Sequence, residues 1–323
     1  VLTDRIASVL PCFQRLRTAK IPAKVKELNI KQVLWPRALH GVEAVSIGKA
    51  HLNKLRTGVM KALHWDRAGA SPLVRVGLLH HELDPAWQQL WKVVSLFTSQ
   101  CGKSDTLRDW WKGYCAQLQD TQTHGPFGKV QAELNEVGLS LDENCKIWFS
   151  QRGCIDLLMS SADLVRRILL FHFHQQVASQ VQQRKGYEDL DGFDWGLTIS
   201  ADGHRTVAEV EQLMIIRDGA FFTNDVCSKF DASKSSICPW CQKSDTRLHR
   251  YTTCSKYDDI RGRHQVLFQE WDEYPRCAQT FGLVPRNPWK ILALEALSSL
   301  PDLTDDFQFM PKGQVWHAFT DGS

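Results

Sequence analysis

Cys238-Pro-Trp-Cys241, followed by His249 and Cys254, is the stretch around which the rest of the chain is arranged. Its spacing, C-x2-C-x7-H-x4-C, gathers three thiols and an imidazole within seventeen residues. Two thiolates from a tight turn, joined by an imidazole and a third thiolate from the returning segment, close a tetrahedron around Zn²⁺. All four positions are then filled by protein, which leaves none for water or substrate. The metal expected is therefore structural. The competing reading is three buried cysteines and a surface histidine that fall close together by chance.

Composition bounds what surrounds this stretch. With 323 residues, 43% of them hydrophobic, and 12 Trp, the chain has material for about two or three folded domains. Net charge is only +3, but residues 1 to 70 carry 13 Lys/Arg against 4 Asp/Glu, a local +9. A basic front on a near-neutral chain suits a polyanionic partner, most often nucleic acid. The plainer alternative is a solvated helical surface. Ten cysteines at this length are too sparse for a secreted disulfide scaffold and imply a reducing, intracellular setting, nuclear or cytoplasmic. No apolar run approaches the ~20 residues of a membrane span, and no signal peptide opens the chain. Val1 and the unfinished strand at Val315 to Phe319 read as cut ends.

Apolar periodicity predicts helices along most of the chain. Ile6, Val9, Leu10, Phe13 and Leu16 mark one. Pro22 starts a second through Val25, Leu28 and Val33, interrupted by Pro36 and Gly41. A third, from Gly48 to Trp65, carries Leu52, Leu55, Val59 and Leu63 on one stripe. Residues 71 to 200 keep the helical pattern. Asp84-Pro85 caps a helix with Trp87, Leu90, Trp91, Val94 and Phe97 as its buried stripe. Another, bearing Trp110, Trp111 and Tyr114, begins near Asp105. Ser160-x-x-Asp163 reads as a capping box for a long helix, Leu197 to Ile199 as a short strand, and Thr206-x-x-Glu209 as a second box closed by Gly219. Tyr257-Asp258-Asp259 opens a helix beyond the cysteines. Residues 275 to 311, proline-rich, read as a linker with one short helix around Trp289 to Leu300.

Catalytic signatures are missing: no G-x-x-x-x-G-K-[ST], H-E-x-x-H or G-x-S-x-G occurs. Lys256-Tyr257-Asp258-Asp259 and Leu303-Thr304-Asp305-Asp306 lack the aromatic residue that a polymerase carboxylate pair needs two places ahead.

The order of features resembles the C-terminal half of a non-LTR (LINE-type) retrotransposon reverse transcriptase. The elements that carry it are a basic helical front, Gly219-Ala220-Phe221-Phe222-Thr223, the C-x2-C pair with Asp245-Thr246-x-x-His249 and Cys254, and Phe319-Thr320-Asp321-Gly322-Ser323. The resemblance implies a mainly α fold. Residues 1–70 would be a thumb-like segment, 71–204 a helical connection, 205–275 a CCHC zinc-binding subdomain, 276–312 a linker, and 313–323 the first strand of a truncated α/β ribonuclease H domain.

It further implies zinc on Cys238, Cys241, His249 and Cys254. Asp321 would be the first carboxylate of a ribonuclease H site whose Mg²⁺ pair belongs only to the complete domain. The expected partners are RNA, an RNA/DNA hybrid or target DNA, together with the parent protein's polymerase and ribonuclease H parts, and no membrane. Phosphate gripping needs cations without a base code. The candidates are Arg15, Arg17, Lys24, Lys26, Lys49, Lys54, Arg56 and Lys61 in front, and Arg247, Arg250, Lys256, Arg261 and Arg263 around the metal. Alternatives from other classes are a helical protein-interaction module stapled by zinc and a decayed copy without function. By itself the fragment is expected neither to polymerise nor to cleave.

Overall fold

The computed structural model describes residues 2–117, 125–149, 153–190, 192–200, 205–263, 265 and 271–285. Thirteen helices are introduced here in chain order. The front is built from α1 (Leu2–Thr18), α2 (Ala23–Asn29), α3 (Trp35–Ala38) and α4 (Lys49–Ala62). The middle contains α5 (Pro85–Lys103), α6 (Asp105–Gln117), α7 (Gly125–Glu136), α8 (Ala162–Val181), α9 (Trp195–Ser200) and α10 (Val207–Arg217). The remainder contains α11 (Asn224–Phe230), α12 (Asp258–Arg263) and α13 (Arg276–Phe281). Among the described residues, no helix is long and apolar enough to cross a membrane.

The stripes expected on α1, α4 and α5 face the core, but the one expected after Pro22 does not: Val25, Leu28 and Val33 are exposed. Ile6, Val9 and Phe13 of α1 pack on Leu55 and Val59 of α4. The approach is close because Gly58 has no Cβ: one placed there would lie 2.5 Å from the Phe13 ring. Trp87, Leu90, Val94 and Phe97 anchor α5 against α4, α7 and α8, and Trp91, half-buried, packs against this core. The Asp84 carboxylate accepts the N–H of Ala86 at 2.8 Å and so caps α5 as anticipated, with Pro85 at the first helical position. It also receives Arg56 Nε and Nη2, at 2.6 and 3.0 Å, from α4. One buried carboxylate thus ends a helix and ties two helices together. The Thr206 capping box is present, and Gly219, at φ 85°, closes α10 in the left-handed region.

Five further expectations need correction. Pro36 does not interrupt its helix: a π-type turn over Ile30–Leu34 carries α2 into α3, and the wider turn accommodates a residue with no N–H. The stretch 71–200 is not wholly helical, because an antiparallel sheet of order β1 (Ser140–Leu141), β2 (Lys146–Trp148), β3 (Cys154–Asp156) interrupts it. Its register pairs Leu141 with Ile147 and Ile147 with Ile155, and strands of two or three residues are too short to show a period. The cap of α8 is Ser161, whose hydroxyl accepts from Leu164 N–H, one residue beyond the expected position. Leu197 to Ile199 lie in α9, not a strand. The start of the supposed linker is docked: α13 places Cys277, Phe281 and then Leu283 in the core. The helix expected around Trp289, residues 313–323 and Asp321 lie outside the described residues.

A single apolar cluster runs from Ile6 to Leu283 across the divisions expected at 70 and 204. Arg75 connects its middle to α10. Its guanidinium, buried 4.5 Å over Trp65, donates to Glu211 at 2.9 and 3.0 Å and stands 3.6 Å from Asp218. Beyond α10, Gly219 and Ala220 lead the chain out of the core and into the cysteine cluster.

Candidate metal centre

Cys238, Cys241, His249 and Cys254 converge, with all four ligand atoms within 4.8 Å of one another. The first two sit on a turn closed by Gln242 N–H to the Cys238 carbonyl at 3.0 Å and Cys238 N–H to the Lys243 carbonyl at 2.7 Å. Gln242 takes φ 61°, the left-handed conformation that lets the chain reverse, and Ile237 and Ser244 form a β-bridge beneath it. His249 begins a π-type turn ending at Thr253, after which Cys254 returns the third thiol.

The donor set suits Zn²⁺. Cys238 and Cys254 Sγ are 3.7 Å apart, against about 3.8 Å for a tetrahedron with ~2.3 Å Zn–S bonds. Cys241 Sγ and His249 Nε2, at 3.0 Å, are closer than a shared metal allows, and an ion would spread them by about half an ångström. The other imidazole nitrogen, Nδ1, lies 3.0 Å from Thr253 Oγ1, and this contact holds the ring with Nε2 toward the sulfurs. Burial pushes the Cys238 thiol up. Hydrogen bonds from the Trp240 and Cys241 N–H groups, and from the His249 and Cys241 side chains, outweigh it and bring the thiol down to about 6. Burial raises Cys254. Oriented N–H groups thus favour the thiolate on the turn that a metal would meet.

Polar latches hold the loop around this cage. Asp245, fully buried, accepts Asn224 N–H at 2.7 Å and the forked pair Arg250 Nε and Nη2 at 2.7 and 2.6 Å. The hydrogen bonds from Arg250 hold its carboxyl below the usual range. Arg250 lies between Phe221 and Trp240, 5.4 and 5.8 Å from the two ring centres. Arg247 donates from Nε and Nη2 to the carbonyls of Phe221 and Gly219. Arg261 donates to the Tyr251 and Cys254 carbonyls and pairs with Asp258.

The cations expected to grip phosphates therefore divide into two groups. Lys26 is buried and donates to the Arg17 and Ala62 carbonyls. Arg56 is buried on Asp84, Arg17 pairs with Asp66, and Arg263 with Asp259. With Arg247, Arg250 and Arg261 all of these but Arg263 serve the fold first, because a cation packed beside helix ends and loop carbonyls finds partners within the protein; Arg263 is exposed, and its pair with Asp259 faces solvent. Arg15, Lys24, Lys49, Lys54, Lys61 and Lys256 are exposed and make no ion pair among the described residues. Lys54 and Lys61 line a groove of about 480 Å³ between α1 and α4.

Two contributors escaped the sequence. Thr253 stands four residues after His249, a spacing that would have found it had a helical turn been assumed there. Trp240, 48% exposed on the metal turn, is legible only once its surroundings are known. No family model, curated protein or solved structure matches this chain.

Proposed function

We propose that this chain is a nucleic-acid-binding, zinc-stapled helical portion of a protein similar to the non-LTR retrotransposon reverse transcriptases. It grips RNA or an RNA/DNA hybrid through phosphates and contributes no catalysis of its own. The observation that carries this is the convergence of Cys238, Cys241, His249 and Cys254 in a loop bordered by exposed Lys243 and Lys256. The four residues would hold one Zn²⁺, which supplies a rigid cross-link and no open coordination position. In front, Lys54 and Lys61 at the α1–α4 groove, together with exposed Arg15, Lys24 and Lys49, support a sequence-independent grip.

The experiment is fluorescence anisotropy of the full chain with a labelled RNA/DNA hybrid at two salt concentrations. Affinity is expected to fall steeply with salt, and Lys49→Glu, Lys54→Glu and Lys61→Glu together to flatten that dependence. An affinity indifferent to both would favour the second reading, a protein-interaction module. That reading draws support from Phe230, Ile237 and Trp240, which are 80%, 43% and 48% exposed around the metal loop.

A further inference from the structure

A cleft of about 790 Å³ lies where the metal-binding loop meets the helical body. Its size falls in the ~300–1,000 Å³ range of small-ligand sites. Arg247 lines it from the loop side. The guanidinium is half-buried, 4.8 Å over the Phe281 ring, with Nε and Nη2 committed to carbonyl oxygens. Nη1 makes no hydrogen bond and no carboxylate pairs with this charge among the described residues. Burial pulls its pKa below the ordinary guanidinium range, a sign of a charge short of compensation.

The other walls repeat the pattern. Lys185 and Arg276, both exposed, line the cleft from the body with no ion pair among the described residues. Thr223, 1% exposed, lines it from the loop, and its hydroxyl is buried without a partner. Each acidic group on the lining has a hydrogen-bond or ion-pair partner. Asp189 accepts the N–H groups of Arg276 and Cys277 at the start of α13, Glu188 accepts Gly186 N–H at 2.7 Å, and Asp225 pairs with Lys229 at 2.8 Å. The lining carries four cations, Lys185, Lys229, Arg247 and Arg276, against the three carboxylates, a net +1, and Val226 and Leu248 supply an apolar wall beside them.

We infer that this cleft binds a nucleotide unit of a nucleic-acid strand. Its phosphate is held by Arg247 Nη1, Lys185, Arg276 and the Thr223 hydroxyl, and its base or sugar lies on the apolar wall. This rests on the nucleic-acid reading above and adds a defined seat to it. A planar guanidinium fixed by two carbonyls presents its remaining edge without ordering cost, which suits a phosphate oxygen. A free nucleotide offers the same chemistry, so the test separates the two sources.

The full chain is titrated by anisotropy with a labelled single-stranded RNA, and by calorimetry with uridine monophosphate and with inorganic phosphate. Lys185→Gln/Arg276→Gln removes two exposed cations that hold no part of the fold. Arg247→Lys keeps the charge and loses the fork. RNA affinity should drop about tenfold in the double variant, and the salt slope by about 0.7, the share of one phosphate on a single strand. Zinc content and circular dichroism should be unchanged.

If wild type and double variant bind RNA alike with equal slopes, the cleft is not used, and the nucleic-acid reading survives on the front lysines alone. If RNA does not bind but uridine monophosphate does, and loses affinity in the double variant, the site stands as a nucleotide site and the nucleic-acid reading falls. If RNA, uridine monophosphate and phosphate all fail to bind the wild type, both fall. Arg247→Lys provides the check on geometry: an affinity equal to wild type would remove Arg247 from the seat.

Discussion

The helical body and the metal-binding loop are held together by different physics. From α1 to α10 the chain buries an unbroken apolar cluster, with Trp87, Trp111, Phe13 and Phe173 among its largest members. From Phe221 to Tyr257 the only buried apolar side chains among the described residues are Cys238 and Cys254, themselves candidate ligands, while Phe230, Ile237 and Trp240 face solvent. A segment this short cannot enclose a core, so it relies on a cross-link and on polar latches. The body should therefore tolerate loss of the metal, and the loop should not.

Metal removal is the strongest way to break that contrast. Structural zinc contributes about 10–16 kcal/mol to small metal-dependent folds. Chelation, Cys241→Ser or His249→Ala should abolish a stoichiometry of one ion per chain in native mass spectrometry. Hydrogen exchange should then accelerate across residues 221–257 and remain slow in α5 and α8. Protection lost equally throughout would show that the two regions fold as one.

The converse experiment strikes the body. Asp84→Ala leaves Arg56 buried without its carboxylate and deletes the α5 cap, a loss of roughly 3–5 kcal/mol. The urea midpoint should fall sharply while zinc binding persists.

Asp218, at the junction of the two regions, yields a pH test. Burial pushes its carboxyl up to about 6, partly opposed by Arg75. A carboxyl that titrates higher in the fold than in the unfolded chain contributes stability while protonated, fully so below about pH 4, and loses it as pH rises through about 6. Asp218→Asn stays neutral and keeps an acceptor for Ala220 N–H, so it should gain on the wild type across that window, by ~3 kcal/mol at most. Urea midpoints of the two proteins at either end of the window check the sign. A smaller effect is expected at the α1–α4 contact. Gly58→Ala gains helix propensity but meets Phe13, for a net destabilisation of about 1–2 kcal/mol in thermal melts.

Local chemistry was readable without the fold. The stripes of α1, α4 and α5, the Asp84 and Thr206 caps, the Gly219 stop and the four metal ligands each lie within one continuous stretch of fewer than twenty residues. Side-chain direction and backbone preference over such distances are set by helical geometry and turn type. The sheet at residues 140–156 was hidden because its strands are shorter than the period they would have to display. The docking of α13 was hidden because Phe281 is buried by stacking on Tyr187, 94 residues away, at 3.9 Å.

Which cations face solvent was likewise beyond the sequence. Arg56 and Lys54 belong to one helix and carry one charge each, yet the first is spent on Asp84 and the second lines an open groove. Residue type determines that a group is charged. Only the packing of distant elements decides whether its partner is a carboxylate, a carbonyl or water, because that choice depends on what the folded chain brings within hydrogen-bonding distance. Arg247, Lys185, Arg276 and Thr223 meet for the same reason: no pattern along the chain connects them, and the docking of the metal loop on the body does.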